Sequence, residues 1–117
     1  MNLQPWYFVV VRRRESLREL AASTHTGAYI RDASFAVAVL TDPSNRWHIV
    51  DGVRAVQNMA LAAWEIGLGT CYVGNFDQER VKRLLKAPGN LNVLTVLPFG
   101  YPKVLKTKSK KIRKRFE

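Results

Sequence analysis

Two stretches and one side chain hold most of the chemistry this sequence could perform. The first stretch is a glycine-punctuated run, Gly67-Leu68-Gly69-Thr70-Cys71-Tyr72-Val73-Gly74-Asn75. Glycine puts no side chain between backbone and ligand, so such a run can bring fixed main-chain N–H dipoles against a flat or electron-rich partner. The second is the basic end. Eight Lys or Arg residues and one acidic residue lie between Lys103 and Glu117, a composition suited to phosphate groups. Both have plainer readings: glycines that cap a helix and turn the chain, and a solvated tail. Cys71, the only cysteine, invites a nucleophilic or redox role. His25 and His48 lie in unrelated segments, however, and an unassisted cysteine is usually a small hydrophobe. No Cys/His spacing suits a metal. Gly67-x-Gly69 is followed by a strandless loop and lacks the remaining glycine spacing of a dinucleotide fingerprint.

These residues need elements to position them. Trp6–Val11 is β-branched and aromatic and predicts a strand; its unbroken apolar run suits a strand covered on both faces. Arg14–Ala22 predicts a helix with Leu17, Leu20 and Ala21 on one face. Ser23–Asp32 has no period and reads as a loop. Ala33–Thr41 predicts a second buried strand, followed by a turn at Asp42-Pro43-Ser44-Asn45. A long helix is expected from about Asp51 to Ile66, with Val53, Val56, Met59, Ala60, Ala63 and Ile66 at helical spacing, ended by Gly67 and Gly69. Asp77 is the expected N-cap of a helix through Lys86, terminated by Pro88-Gly89. Asn92–Phe99 predicts a third apolar strand. The order implies a mixed α/β chain of the α+β class, a central sheet flanked by helices.

The chain has 117 residues and a formal net charge of +10. That length suits one domain, and a composition 47% hydrophobic excludes a disordered chain. No apolar run approaches the ~20 residues that cross a bilayer. A single cysteine forbids an intrachain disulfide and favours a reducing, cytoplasmic setting. Residues 1–102 hold only +3 of the charge, so the chain divides into a near-neutral body, 1–102, and a basic extension, 103–117.

Asn2-Leu3-Gln4-Pro5-Trp6, Gln57-Asn58-Met59-Ala60-Leu61-Ala62-Ala63 and Gly67–Gly74 share their order and spacing with one group of proteins, and Leu97-Pro98-Phe99-Gly100-Tyr101-Pro102 and Lys111-Ile112-Arg113-Lys114 extend the match. Together they resemble the nitroreductase family, flavin enzymes that bind FMN at a homodimer interface. The resemblance covers nearly the whole chain. It implies a nitroreductase-like fold and an FMN-dependent oxidoreductase that passes electrons from NAD(P)H through the flavin to a nitro compound, quinone or similar small-molecule acceptor. It implies cofactor contacts from Asn2 and Gln4, from the segment Cys71, Tyr72, Val73, Gly74 and Asn75 along the ring edge, with Gly74 nearest the flavin N5 atom, and from Lys111 and Arg113 at the phosphate. It implies no catalytic side chain, since the flavin carries the chemistry. Family members also begin with a basic helical segment that the sequence before Asn2 does not contain, so the body reads as an N-terminally truncated core. Two alternatives stand beside this. One is an inactive truncated relative. The other is a nucleic-acid-binding module using the basic end, against which count a single aromatic there, Phe116, and the lack of a recognition motif.

Overall fold

The computed structural model describes residues 1–104; Lys111 and Arg113 lie outside the described residues, as does most of the basic extension. The chain runs through strand β1 (Trp6–Val11), helix α1 (Arg14–Ala22), a 3-10 turn (Ala28–Asp32), β2 (Phe35–Thr41), α2 (His48–Glu65), a short β3 (Gly69–Thr70), α3 (Gln78–Leu85) and β4 (Asn92–Gly100). The four strands form one antiparallel sheet in the order β1-β2-β4-β3. This is an α+β architecture, as the element order implied.

Alternation along the strands sorts the side chains into two cores. Val11, Ala36, Ala38, Leu40, Val93 and Val96 face α1 and α3, meeting Leu17, Leu20, Ala21 and Val81. Val37, Val39, Leu97 and Phe99 face α2, meeting Val56 and Ala63. The register slips once: Val39 pairs with Thr95 and Leu40 with Val93, so Leu94 has no partner on β2. The extra residue makes a β-bulge, which turns Leu94 alone off the regular ladder.

The helix ends follow local chemistry. Asp77 caps α3, its Oδ1 accepting the Arg80 N–H at 3.0 Å. Gly67, at φ 80°, closes α2; its N–H donates to the Trp64 carbonyl, and the Leu68 N–H reaches the Ala63 carbonyl at 2.8 Å. That pairing needs the left-handed conformation glycine adopts cheaply. Gly69 instead opens β3. The α3 terminus differs from expectation, because Lys86 at φ 53° ends the helix before Pro88-Gly89 is reached.

Four further expectations are corrected. Part of Ser23–Asp32 is the 3-10 turn rather than plain loop. Helix α2 starts at His48, since Asn45 receives the Trp47 N–H on its side chain and the His48 N–H on its carbonyl, seeding the first turn early. The apolar run of β1 is not covered on both faces. Val9 and Val11 turn to the α1/α3 core, but Phe8 and Val10 point to the other face and are 44% and 57% exposed. β1 is the sheet edge, and α2 crosses the neighbouring strands. On α2 itself the expected inner face is too wide: Val56 and Ala63 are buried, while Val53 and Ile66 are exposed.

Candidate functional site

The segment Cys71–Asn75 runs along the free side of β4. Val73 is its anchor, buried, with its N–H and carbonyl both exchanged with Val96 at 3.2 Å. Around that anchor, Cys71, Tyr72, Gly74 and Asn75 are exposed. Among the described residues, the N–H groups of Tyr72, Gly74 and Asn75 donate to no protein acceptor. An exposed main-chain segment with unspent donors, held rigidly at its centre, suits the edge of a planar acceptor-rich ligand.

The segment 23–32, which the sequence left without a role, supplies its flank. The His25 N–H donates to the Asn75 carbonyl at 3.0 Å, and Thr24 bridges Phe76. Tyr29 donates its hydroxyl to the Cys71 sulfur at 3.3 Å. That hydrogen bond, with some help from burial, pushes the Tyr29 pKa from 10.0 to about 12. No local pattern could have paired Tyr29 with Cys71, since 42 residues separate them. Neither histidine side chain activates Cys71; His48 Nδ1 bonds the Thr41 hydroxyl at 2.9 Å instead.

Tyr29, Thr70, Cys71, Phe99, Tyr101 and their neighbours line a recess of about 370 Å³. Among the described residues, the Thr70 hydroxyl oxygen beside it is buried without a partner. The chain leaves this rim at Pro102 toward the basic extension that carries Lys111 and Arg113.

Asn2 and Gln4 lie elsewhere. The Pro5 carbonyl accepts the Asp42 N–H at 2.9 Å, which ties the stretch to the end of β2. Asn2 and Gln4 line a separate recess of about 520 Å³ with Trp6, Trp47, Asp51 and Arg54, which takes none of Cys71–Asn75. They lead into β1, one edge of the sheet; Cys71–Asn75 follows the other. Three strand spacings, about 14 Å, separate the two edges. The structure therefore brings Cys71–Asn75 together with Tyr29, and keeps Asn2 and Gln4 apart from them.

A fold of this order, with a glycine-flanked segment bridged to the last strand, invites comparison with known proteins. The family model described as "Nitroreductase family" matches residues 26–101. The chain belongs to the nitroreductase family. A curated relative from Archaeoglobus fulgidus, named "Putative NADH dehydrogenase/NAD(P)H nitroreductase", is 35% identical over 112 residues, covering 87% of this chain and 64% of its own length. A crystal structure under the same name from Bacteroides thetaiotaomicron superposes with a TM-score of 0.87 at 31% identity, over 96% of this chain and 70% of that one. An FMN-dependent nitroreductase from Clostridium difficile gives 0.86 at 25% identity, over 92% and 69%. The nitroreductase fold is thus present across the body of the chain, although the chain spans under two thirds of the length of the curated relatives it matches. Among the described residues no helix is long and apolar enough to cross a membrane.

Proposed function

We propose that this chain works as an FMN-dependent oxidoreductase that takes electrons from NAD(P)H and delivers them to a nitro compound, quinone or similar small acceptor. The observation that carries the reading is the set of unspent N–H donors of exposed Tyr72, Gly74 and Asn75 around buried Val73, on a nitroreductase fold. The residues present fit such a group. The donors are main-chain and need no pKa tuning, the buried Thr70 hydroxyl has no partner among the described residues, and the adjoining recess is walled mostly by aromatic and apolar residues. Bound FMN would supply a ring that accepts hydride and gives electrons onward.

The chain's own residues divide the work. Tyr72, Val73, Gly74 and Asn75, with Cys71 before them, offer the ring edge, Gly74 nearest its reactive nitrogen. Lys111 and Arg113, in the basic extension 103–117, hold the phosphate. Arg gives a bidentate fork and Lys a point charge. Asn2 and Gln4 complete the site from a second copy of the chain, because within one copy they lead into the strand at the opposite sheet edge and line a separate recess. The exposed apolar residues of α2, among them Val53, Leu61 and Trp64, and the bare Phe8 and Val10 give a homodimer surface to bury. The exposed free thiol of Cys71 accords with a reducing cytoplasm.

The test is titration of the full chain with FMN, followed by flavin fluorescence, and then anaerobic addition of NADH or NADPH. Saturable quenching and bleaching of the flavin absorbance are expected. Flavin that stays fully fluorescent, with an unmoved melting temperature, overturns the reading.

A further inference from the structure

Tyr72 is half exposed, yet its side chain is tied at both ends. Its hydroxyl donates to the Leu94 carbonyl at 3.2 Å. Leu94 is the bulged residue, the one position of β4 between Asn92 and Phe99 that β2 leaves without a partner. The bulge therefore presents a carbonyl toward the free side of β4, and Tyr72 takes it.

The other end of the contact is Gly74. A Cβ built there would lie 2.9 Å from Tyr72 Cε1 and 3.6 Å from its Cδ1. Gly74 is not in the left-handed region, where only Gly67 is found among the glycines, so its backbone does not call for glycine. The Tyr72 ring does. A ring anchored through its hydroxyl cannot swing away without giving up the Leu94 bond. With Val73 paired to Val96 and the Asn75 carbonyl held by His25, four contacts fix the turn on which the Gly74 and Asn75 donors sit.

We propose that Tyr72 is a positioning residue: a strut from the β4 bulge to Gly74 that presets the direction of the Gly74 and Asn75 N–H groups for the flavin edge. The inference rests on the flavin reading above and deepens it, since Tyr72 then acts through the backbone it braces. Donors already aimed need no reorganisation when the ligand or its charge arrives.

The experiment is a double-mutant cycle at positions 72 and 74 in the full chain, with FMN as probe. Affinity is read from fluorescence quenching, and the bound-flavin spectrum and midpoint potential are recorded on the same samples. Tyr72→Phe keeps the ring and removes the strut; it is expected to weaken FMN about three- to tenfold and to shift the spectrum and potential. Gly74→Ala alone is expected to cost about tenfold. In a Tyr72→Ala background the same Gly74→Ala change should cost under about twofold, because the ring it would strike is gone. Equal penalties in the two backgrounds overturn the proposal. So does a Tyr72→Phe protein with a lower melting temperature but unchanged affinity, spectrum and potential. Failure of the unmodified chain to bind FMN overturns the flavin reading instead. The cycle read as ligand-free melting temperature then decides the strut separately: non-additivity supports it and additivity refutes it.

Discussion

If Asn2 and Gln4 serve the site of a neighbouring copy, two damaged chains should repair each other. One variant carries Asn2→Ala and Gln4→Ala; the other carries Gly74→Ala. Each alone has a defect in every site. The two edges stand about 14 Å apart across β2 and β4, so a composite site draws one edge from each copy. In a mixed dimer one site collects both defects and the other collects neither. Random exchange of equal amounts makes half the dimers mixed, so about one quarter of all sites become intact. Co-refolding the two variants and measuring bound flavin per chain at FMN well below the unmodified Kd should return about one quarter of the unmodified value above the residual binding of the parents, with NAD(P)H-dependent quinone reduction in proportion. Were both groups to serve the same copy's site, every site in the mixture would keep a defect. Recovery no greater than the mean of the two parents, from samples shown to contain mixed dimers, would refute the shared-site reasoning.

Three smaller predictions follow from the geometry. Gly52→Ala adds a Cβ 2.8 Å from Thr41 Cγ2 and 2.7 Å from Leu94 Cδ2; Thr41 is buried and its hydroxyl is tied to His48, so it cannot retreat. The ~1 kcal/mol of helix propensity gained is outweighed by overpacking of about 1–3 kcal/mol, and thermal melts should show a lower midpoint; a rise would show that Leu94 and α2 adjust freely. Lys86→Gly relieves the left-handed cap of α3 and should stabilise by up to about 1 kcal/mol in urea titration, with no gain if the Lys86 stem packs better than its backbone suffers. Cys71→Ala removes the acceptor that holds Tyr29 neutral, so ultraviolet titration should find the Tyr29 pKa falling from about 12 toward 10. Because the folded value is the raised one, the stability it contributes is complete below pH 10, fades as pH rises toward about 12, and should vanish from the variant's alkaline melting curve.

The elements that announce themselves locally were legible. Asp77 before a charged amphipathic stretch, Gly67 after α2, and the apolar runs of β2 and β4 are each decided by neighbours in sequence. What stayed hidden depends on contacts across the fold. An apolar run states that side chains favour burial, not that this chain has an element to cover them, which is why the run of β1 does not reveal its bare face. Lys82 sits on a helix full of charges, yet it is 9% exposed because its Nζ donates to the Gly89 carbonyl at 2.9 Å. At the site, the glycine run was readable, while Tyr29, His25 and the Leu94 bulge were not. Their partners are distant in sequence, and a bulge is a property of two strands together. The sequence motif for Gly74 suggested room for a ligand; the structure shows that the room is first of all for Tyr72.

The edge position of β1 also bears on how the chain behaves while its surface is uncovered. A free strand edge is a template for adding another strand, and Phe8 and Val10 beside it make such addition stick. The strand is bracketed by Pro5, which cannot donate to an added ladder, and by the exposed Arg12 and Arg13, whose like charges would be stacked in register by repeated addition. These residues act as gatekeepers against aggregation. Their protection is partly electrostatic and weakens as salt shortens the screening length. The protein should therefore stay dispersed longest in dilute buffer, and precipitation on raising ionic strength would begin at this edge.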